Sequence, residues 1–180
     1  LGGCVFMAAA LVADAELPRG LVGPAERILG RSPHPKIRQF IEYWRAIAPV
    51  GALPGRQHLD PSAIPQLLPN LWFIDVERDP APRFRYRLIG TSVARAFGQD
   101  FTGRYMDEAH PGFAASPIHG YLSEVAEKRL PSWRIGRPNF FALQDYLQVE
   151  RVYLPAARDG QTVDMIFALT IFLDRYGREF

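Results

Sequence analysis

Apolar and polar positions alternate with clear periods along most of this chain, and the changes of period mark its elements. Between Pro35 and Pro49, the residues Ile37, Phe40, Ile41, Trp44 and Ala48 recur at helical spacing, with Lys36, Arg38, Glu42 and Arg45 elsewhere. That spacing predicts a strongly amphipathic helix, opened by Pro35 and closed by Pro49. Asp60-Pro61 has the form of a capped helix start and predicts one short helix through Ile64, Leu67 and Leu68, stopping at Pro69. The period then falls to two. Trp72, Ile74 and Val76 alternate with Asp75 and Glu77; beyond the turn Asp79-Pro80-Ala81-Pro82, the residues Phe84, Tyr86 and Leu88 alternate with Arg83, Arg85 and Arg87. Two such runs joined by a tight turn predict an antiparallel pair of strands.

Gly90-Thr91 breaks the strand period, glycine for its backbone freedom and threonine as a helix cap. A brief helix with Val93, Ala94 and Phe97 on its apolar face follows and exits at Gly98. The chain from Gly103 to Pro111 reads as loop. A longer helix is predicted over 117–129, with Ile118, Tyr121, Leu122 and Val125 on one face. Trp133 and Ile135 suggest a third strand, and further strands are predicted over 147–156 and 162–174. Asp159-Gly160 between these last two favours a two-residue hairpin turn. In the final strand Val163, Met165, Phe167, Leu169, Ile171 and Leu173 line one face. Ile166, Ala168 and Phe172 on the other make it a central strand covered on both sides. The order gives an α+β fold, a five-stranded antiparallel sheet with helices packed on one face, preceded by the amphipathic N-terminal helix.

The segments RFRYRLIGT, FGQDFTGR and VYLPAARDG, in this order and spacing, resemble the single-domain PAS-like sensory family common in alphaproteobacteria. The resemblance covers roughly residues 35–174. It implies a PAS fold and a stand-alone sensory or regulatory role without catalysis. A small ligand or a protein partner would bind between sheet and helices, and the signal would pass to another protein. Helices preceding such a core often dimerise, so a homodimer through Ile37, Phe40, Ile41 and Trp44 is one expectation; burial of that stripe on the chain's own sheet is the other.

Composition narrows this picture only slightly. The 180 residues, 48% hydrophobic and 22% charged, suit one globular domain in a cytoplasmic setting. A net charge of +2 does not by itself call for nucleic acid, and Asp75 and Glu77 stand ready to neutralise the arginines of the neighbouring strand. Cys4, the single cysteine, excludes an internal disulfide and a cysteine-based zinc site. The apolar run near the N-terminus is too short to span a bilayer. Residues 1–33 are read as an extension outside the fold, and 34–180 as the domain.

The familiar catalytic signatures are absent: no glycine-rich phosphate loop, no HExxH and no nucleophile elbow. The four histidines, His34, His58, His110 and His119, lack metal-ligand spacing, and no haem or flavin signature is present, so the cofactor is left unknown. His110 with Asp107 and Glu108 is the one place for weak acid/base or metal chemistry. Tyr86, Phe97, Tyr121, Trp133, Phe140, Phe141, Tyr146 and Tyr153 are candidates for an aromatic pocket wall or for plain core. Arg95 and Arg104 flank the pocket mouth that the resemblance implies. Arg151 admits two readings. Either it points inward with Val149 and Tyr153 and needs an anionic partner, from the protein or from a ligand, or Val152 and Leu154 point inward and Arg151 is solvated. Two further readings are a ligand-free interaction adaptor and a small α+β enzyme.

Overall fold

The structure, a computed structural model, describes residues 19–138 and 148–179. Helices α1 (Arg19–Leu29) and α2 (Pro35–Ala46) lead into three short 3-10 turns, then strands β1 (Leu71–Arg78) and β2 (Pro82–Ile89). Helices α3 (Thr91–Phe97), α4 (Met106–Ala109) and α5 (Pro117–Lys128) follow, and β3 (Ser132–Gly136), β4 (Gln148–Ala156) and β5 (Met165–Leu173) complete the chain. The strands form one antiparallel sheet in the order β2-β1-β5-β4-β3. β5 is therefore central, and nearly every residue of β4 and β5 is buried.

Burial on both faces needs a cover on each. On the inner face, α5 packs over β4 and β5, and α4 over β2. On the outer face lies α2, which also contacts β4 and β5. Glu150, on the opposite side of β4 from Arg151, accepts a hydrogen bond from the His34 backbone N–H at the head of α2 (2.8 Å). At its other end, the Trp44 Nε1–H donates to the Pro155 carbonyl at 2.9 Å. Ile37, Phe40, Ile41 and Trp44 are fully buried within one chain. The stripe on α2 is thus buried on the chain's own sheet.

Other departures have local causes. The expected helix after Asp60 is two 3-10 turns, Pro61–Ala63 and Pro65–Asn70. Pro65 disfavours a helical Ile64, which sits at φ −135°. Asp60 caps as anticipated, its carboxylate accepting from the Ser62 N–H at 2.9 Å. In β1–β2 the register shifts between Phe73 and Ile74, which pair with Leu88 and Tyr86, leaving Arg87 as an extra residue. This bulge turns Leu88 away from the buried face of Phe84 and Tyr86, and it is 40% exposed. Asp159-Gly160 lies in a longer connection, since β4 and β5 close at the pair Ala156–Met165. Within it the Asp159 carboxylate accepts from the Gln161 and Thr162 N–H groups. The stretch read as loop after Gly103 contains α4. Inside the expected extension, α1 packs on the domain: Ala25 and Ile28 are buried, and Arg38 donates to the Leu29 carbonyl at 2.8 Å.

Gly90 is needed for space, not for backbone freedom. Its φ is an ordinary −68°. A Cβ there would press well inside van der Waals contact of the Leu68, Pro69 and Leu71 carbonyl oxygens, where the 3-10 segment crosses the start of α3. Gly90→Ala is expected to destabilise the fold by roughly 1–3 kcal/mol, read by urea unfolding. The burial of Trp44 on α2 gives a second test, through Trp44→Ala, expected to cost roughly 3–5 kcal/mol. If α2 covers its own sheet, the unfolding midpoints of wild type and variant do not depend on protein concentration; a midpoint rising with concentration would return the helix to a dimer interface.

Candidate functional site

The inner face of the sheet carries polar side chains within a buried layer, Arg151 and Thr170 among them. Antiparallel register sets them side by side: Arg151 lies opposite Thr170, and Tyr153 opposite Ala168. Arg151 is only 6% exposed, so the inward reading holds. Its Nη2 donates to the Arg137 carbonyl at 3.2 Å. The Trp72 Nε1–H donates to Thr170 Oγ1 at 3.0 Å, and the Trp72 ring stands 5.9 Å from both Tyr86 and Tyr153. Phe97 and Phe101 pack on Tyr86 from α3 and the turn beyond it.

His110 completes this layer. The chain leaves α4 at His110, and the ring turns inward while its neighbours turn out: Asp107 and Glu108 both pair with Arg83 at the surface. His110 Nε2 and the Tyr86 hydroxyl share a 2.8 Å hydrogen bond. Burial, helped by the positive charge of Arg104, lowers the His110 pKa to about 4. Burial pushes the Tyr86 phenol far above its ordinary range; Tyr153 adds to that shift and Arg151 opposes it. The pair is therefore neutral at physiological pH. The imagined acid/base group of His110, Asp107 and Glu108 is not assembled.

Beside this layer, between the first turn of α5 and strands β3 and β4, a cavity of about 290 Å3 opens. It is walled by Tyr121, Arg134, Arg137, Arg151 and Tyr153, with Pro117, Ile135 and Gly136. Its volume is at the small end of ligand pockets. Tyr153 is fully buried, and its hydroxyl has no hydrogen-bond partner among the described residues. Arg134 lies over the Tyr121 ring at 4.6 Å and reaches Glu124 at 3.4 Å. The same Arg134 also lines a second cleft on the far side of β3, together with Ile28 of α1 and Trp133. A third, apolar groove of about 410 Å3 runs beside β2 on the outer face, lined by Leu59, Pro65, Leu68, Leu71, Phe73 and Leu88 among others.

A family model described as a PAS domain matches residues 32–170, well over half of the chain. The chain belongs to the PAS domain family. A search of curated proteins found no match.

Of the residues anticipated for the pocket of this PAS domain, Tyr121, Arg151 and Tyr153 wall the cavity. Tyr86 and Phe97 lie in the adjoining aromatic layer. Trp133 does not belong with them: its Nε1–H donates to Glu150 at 2.8 Å, on the opposite face of the sheet. Arg95 is exposed on α3, and Arg104 is exposed over the Phe101 ring at 5.7 Å. Neither reaches the cavity. Phe140, Phe141 and Tyr146 lie outside the described residues. Arg134, on the short edge strand, and Arg137, just beyond its end, were missed, because an exposed arginine there has no signal in the sequence beyond its charge. The remaining histidines have local tasks. Nδ1 of His34 accepts from the Lys36 N–H, Nδ1 of His58 from the Gly55 N–H, and His119 packs edge-on against Phe84 and Phe113. The basic face of β2 is partly neutralised, since Arg85 pairs with both Asp75 and Glu77. Among the described residues no helix is long and apolar enough to cross a membrane.

The buried His110 makes stability depend on pH. Its folded pKa lies near 4 and its unfolded value near 6.5, so the unfolded chain binds the proton first as pH falls. The neutral ring's full contribution is present above about pH 6.5 and is lost progressively down to about pH 4, a total of roughly 3 kcal/mol. Urea unfolding at pH 7.5 and 4.5 is expected to show this loss in wild type. His110→Gln, which keeps a partner for Tyr86 but cannot titrate, flattens it; an unchanged slope would mean that other groups carry the acid sensitivity.

Proposed function

We propose that this PAS domain is a sensory or regulatory module that binds a small ligand in the cavity between α5, β3 and β4, performs no catalysis of its own, and signals through another protein. What carries the reading is the position of the cavity. It lies between the helical layer and the inner face of the sheet, next to a buried layer of Trp72, Tyr86, His110 and Thr170 whose polar atoms are engaged. A ligand there touches β3, an edge strand, and β3 has α1 on its other side. Arg134 lines both clefts, so a ligand that repositions it reshapes the cleft beside α1. Such a signal requires a ligand with unequal affinity for the two arrangements of β3.

A second reading, a protein-interaction adaptor, has the apolar groove beside β2 in its favour, with Leu68 and Leu88 exposed at its rim. One measurement separates the two. The full chain, incubated with a metabolite extract, is compared by native mass spectrometry with the same sample denatured. A sensor shows a non-covalent adduct that is lost on denaturation, and hydrogen exchange slows along β3, β4 and α1 when the adduct is present. A bare protein mass with unchanged exchange overturns the ligand reading in favour of the adaptor.

A further inference from the structure

Helix α2 covers the outer face of the sheet at β4 and β5, and the apolar groove lies farther along that face, at β1 and β2. We infer that this groove docks an amphipathic helix of a partner protein, with an apolar stripe and acidic flanks. The inference rests on the reading, shared by the sensor and the adaptor, that the chain acts through another protein. Leucines and Phe73 supply most of the groove wall, and Pro61, Pro65 and Pro69 within it have no N–H to offer. An extended peptide would need a free strand edge. The outer edge of β2 is already occupied at its middle: the Tyr86 N–H donates to the Arg104 carbonyl at 3.0 Å, and the Gly103 N–H to the Tyr86 carbonyl at 2.7 Å. A helix satisfies its own backbone and brings only side chains, which suits an apolar wall poor in donors.

The rim selects the charge of the partner. Arg56 lies in the wall, Arg87 precedes Leu88 on β2, and Arg95 follows Thr91 of the wall by one turn of α3. All three are exposed, and none is paired with a carboxylate among the described residues. Arg56 Nη1 makes one long bond, 3.4 Å, to the Leu59 carbonyl. The acids nearest to the wall along the chain are engaged: Asp60 accepts from Ser62, and Asp75 pairs with Arg85. A basic rim around an apolar floor is complementary to an apolar stripe with acidic flanks. A second copy is a poorer occupant. A twofold contact would set these arginines against their own counterparts, and α2 and α5 bury their apolar stripes in the core.

The probe is a phage-displayed library of a small helical bundle with one helix face randomised, selected on the full chain. The best binder is then titrated by fluorescence anisotropy. Selected faces are expected to carry an apolar stripe with Asp and Glu in excess over Lys and Arg. Leu88→Glu and Leu68→Glu, at exposed positions of the rim, each weaken the binder tenfold or more with the melting temperature little changed. Arg56→Glu weakens it several-fold, and by less in high salt. Glu127→Lys, exposed on α5 at the inner side of the sheet, adds positive charge away from the groove and leaves affinity unchanged. Binders indifferent to Leu88→Glu, or an empty selection, would overturn the docking site. Binders that use the groove without an acidic excess would overturn the acidic partner. A dimer in sedimentation that Leu88→Glu dissolves would give the groove to a second copy and overturn the inference. The ligand cavity is a separate site, so a metabolite adduct formed by Leu88→Glu as by wild type keeps the sensor reading standing while the groove fails.

Discussion

β4 and β5 bury both of their faces, and most of the molecule is arranged to meet that demand. A sheet with one solvated face would need helices on one side only. Here the stripe of Ile37, Phe40, Ile41 and Trp44 on α2 is spent on the outer face, and the ends of α2 are tied to β4 through His34–Glu150 and Trp44–Pro155. Burying four large apolar side chains is worth several kcal/mol in total, at roughly 1.5–3 kcal/mol each. With the outer face closed in this way, the inner face can carry polar groups without leaving the sheet short of apolar cover.

That inner face divides into two regions of different character. Near β1 and β2 the polar atoms satisfy one another: Tyr86 with His110, and Trp72 with Thr170. Near β3 and β4 the packing opens into the cavity walled by Arg134, Arg137, Arg151 and Tyr153. Interiors are close-packed, and buried polar groups find partners. The buried Tyr153 hydroxyl, without a partner among the described residues, borders that cavity and departs from both rules. Proteins depart from them most often where they bind something.

The cavity lies against an edge strand. β3 is short and lies at the edge of the sheet, so it is held by β4 on one side only. It borders two clefts, one walled also by α5 and β4, the other by α1 and Glu124 of α5. An edge strand between two clefts can move at lower cost than the doubly paired β5. Helix α1, which the sequence placed in an extension, lies beside β3 across that cleft.

The sequence by itself determined the fold class, the order of the strands along the chain, the amphipathic helix and the central position of β5. These rest on periods of two and 3.6 residues, which are local properties of the chain. The inward direction of Arg151 was also within reach, since Val149, Arg151 and Tyr153 share one face of a strand. Which face was the inner one, however, only the tertiary structure decided. β4 is apolar on both sides, so alternation alone does not distinguish them. The same holds for the partner of α2, because an apolar stripe fits its own sheet or a second copy equally well until the sheet's uncovered face is known. His110 followed the same logic: its neighbours are acidic and exposed, and only the bend after α4 turns its ring toward Tyr86. Leu88 was misplaced because a one-residue bulge reverses the face of every residue beyond it. Arg134 and Arg137 joined the site because strand pairing brought β3 alongside β4. Long-range register and layer packing have no local period, and so they were decided by the fold as a whole.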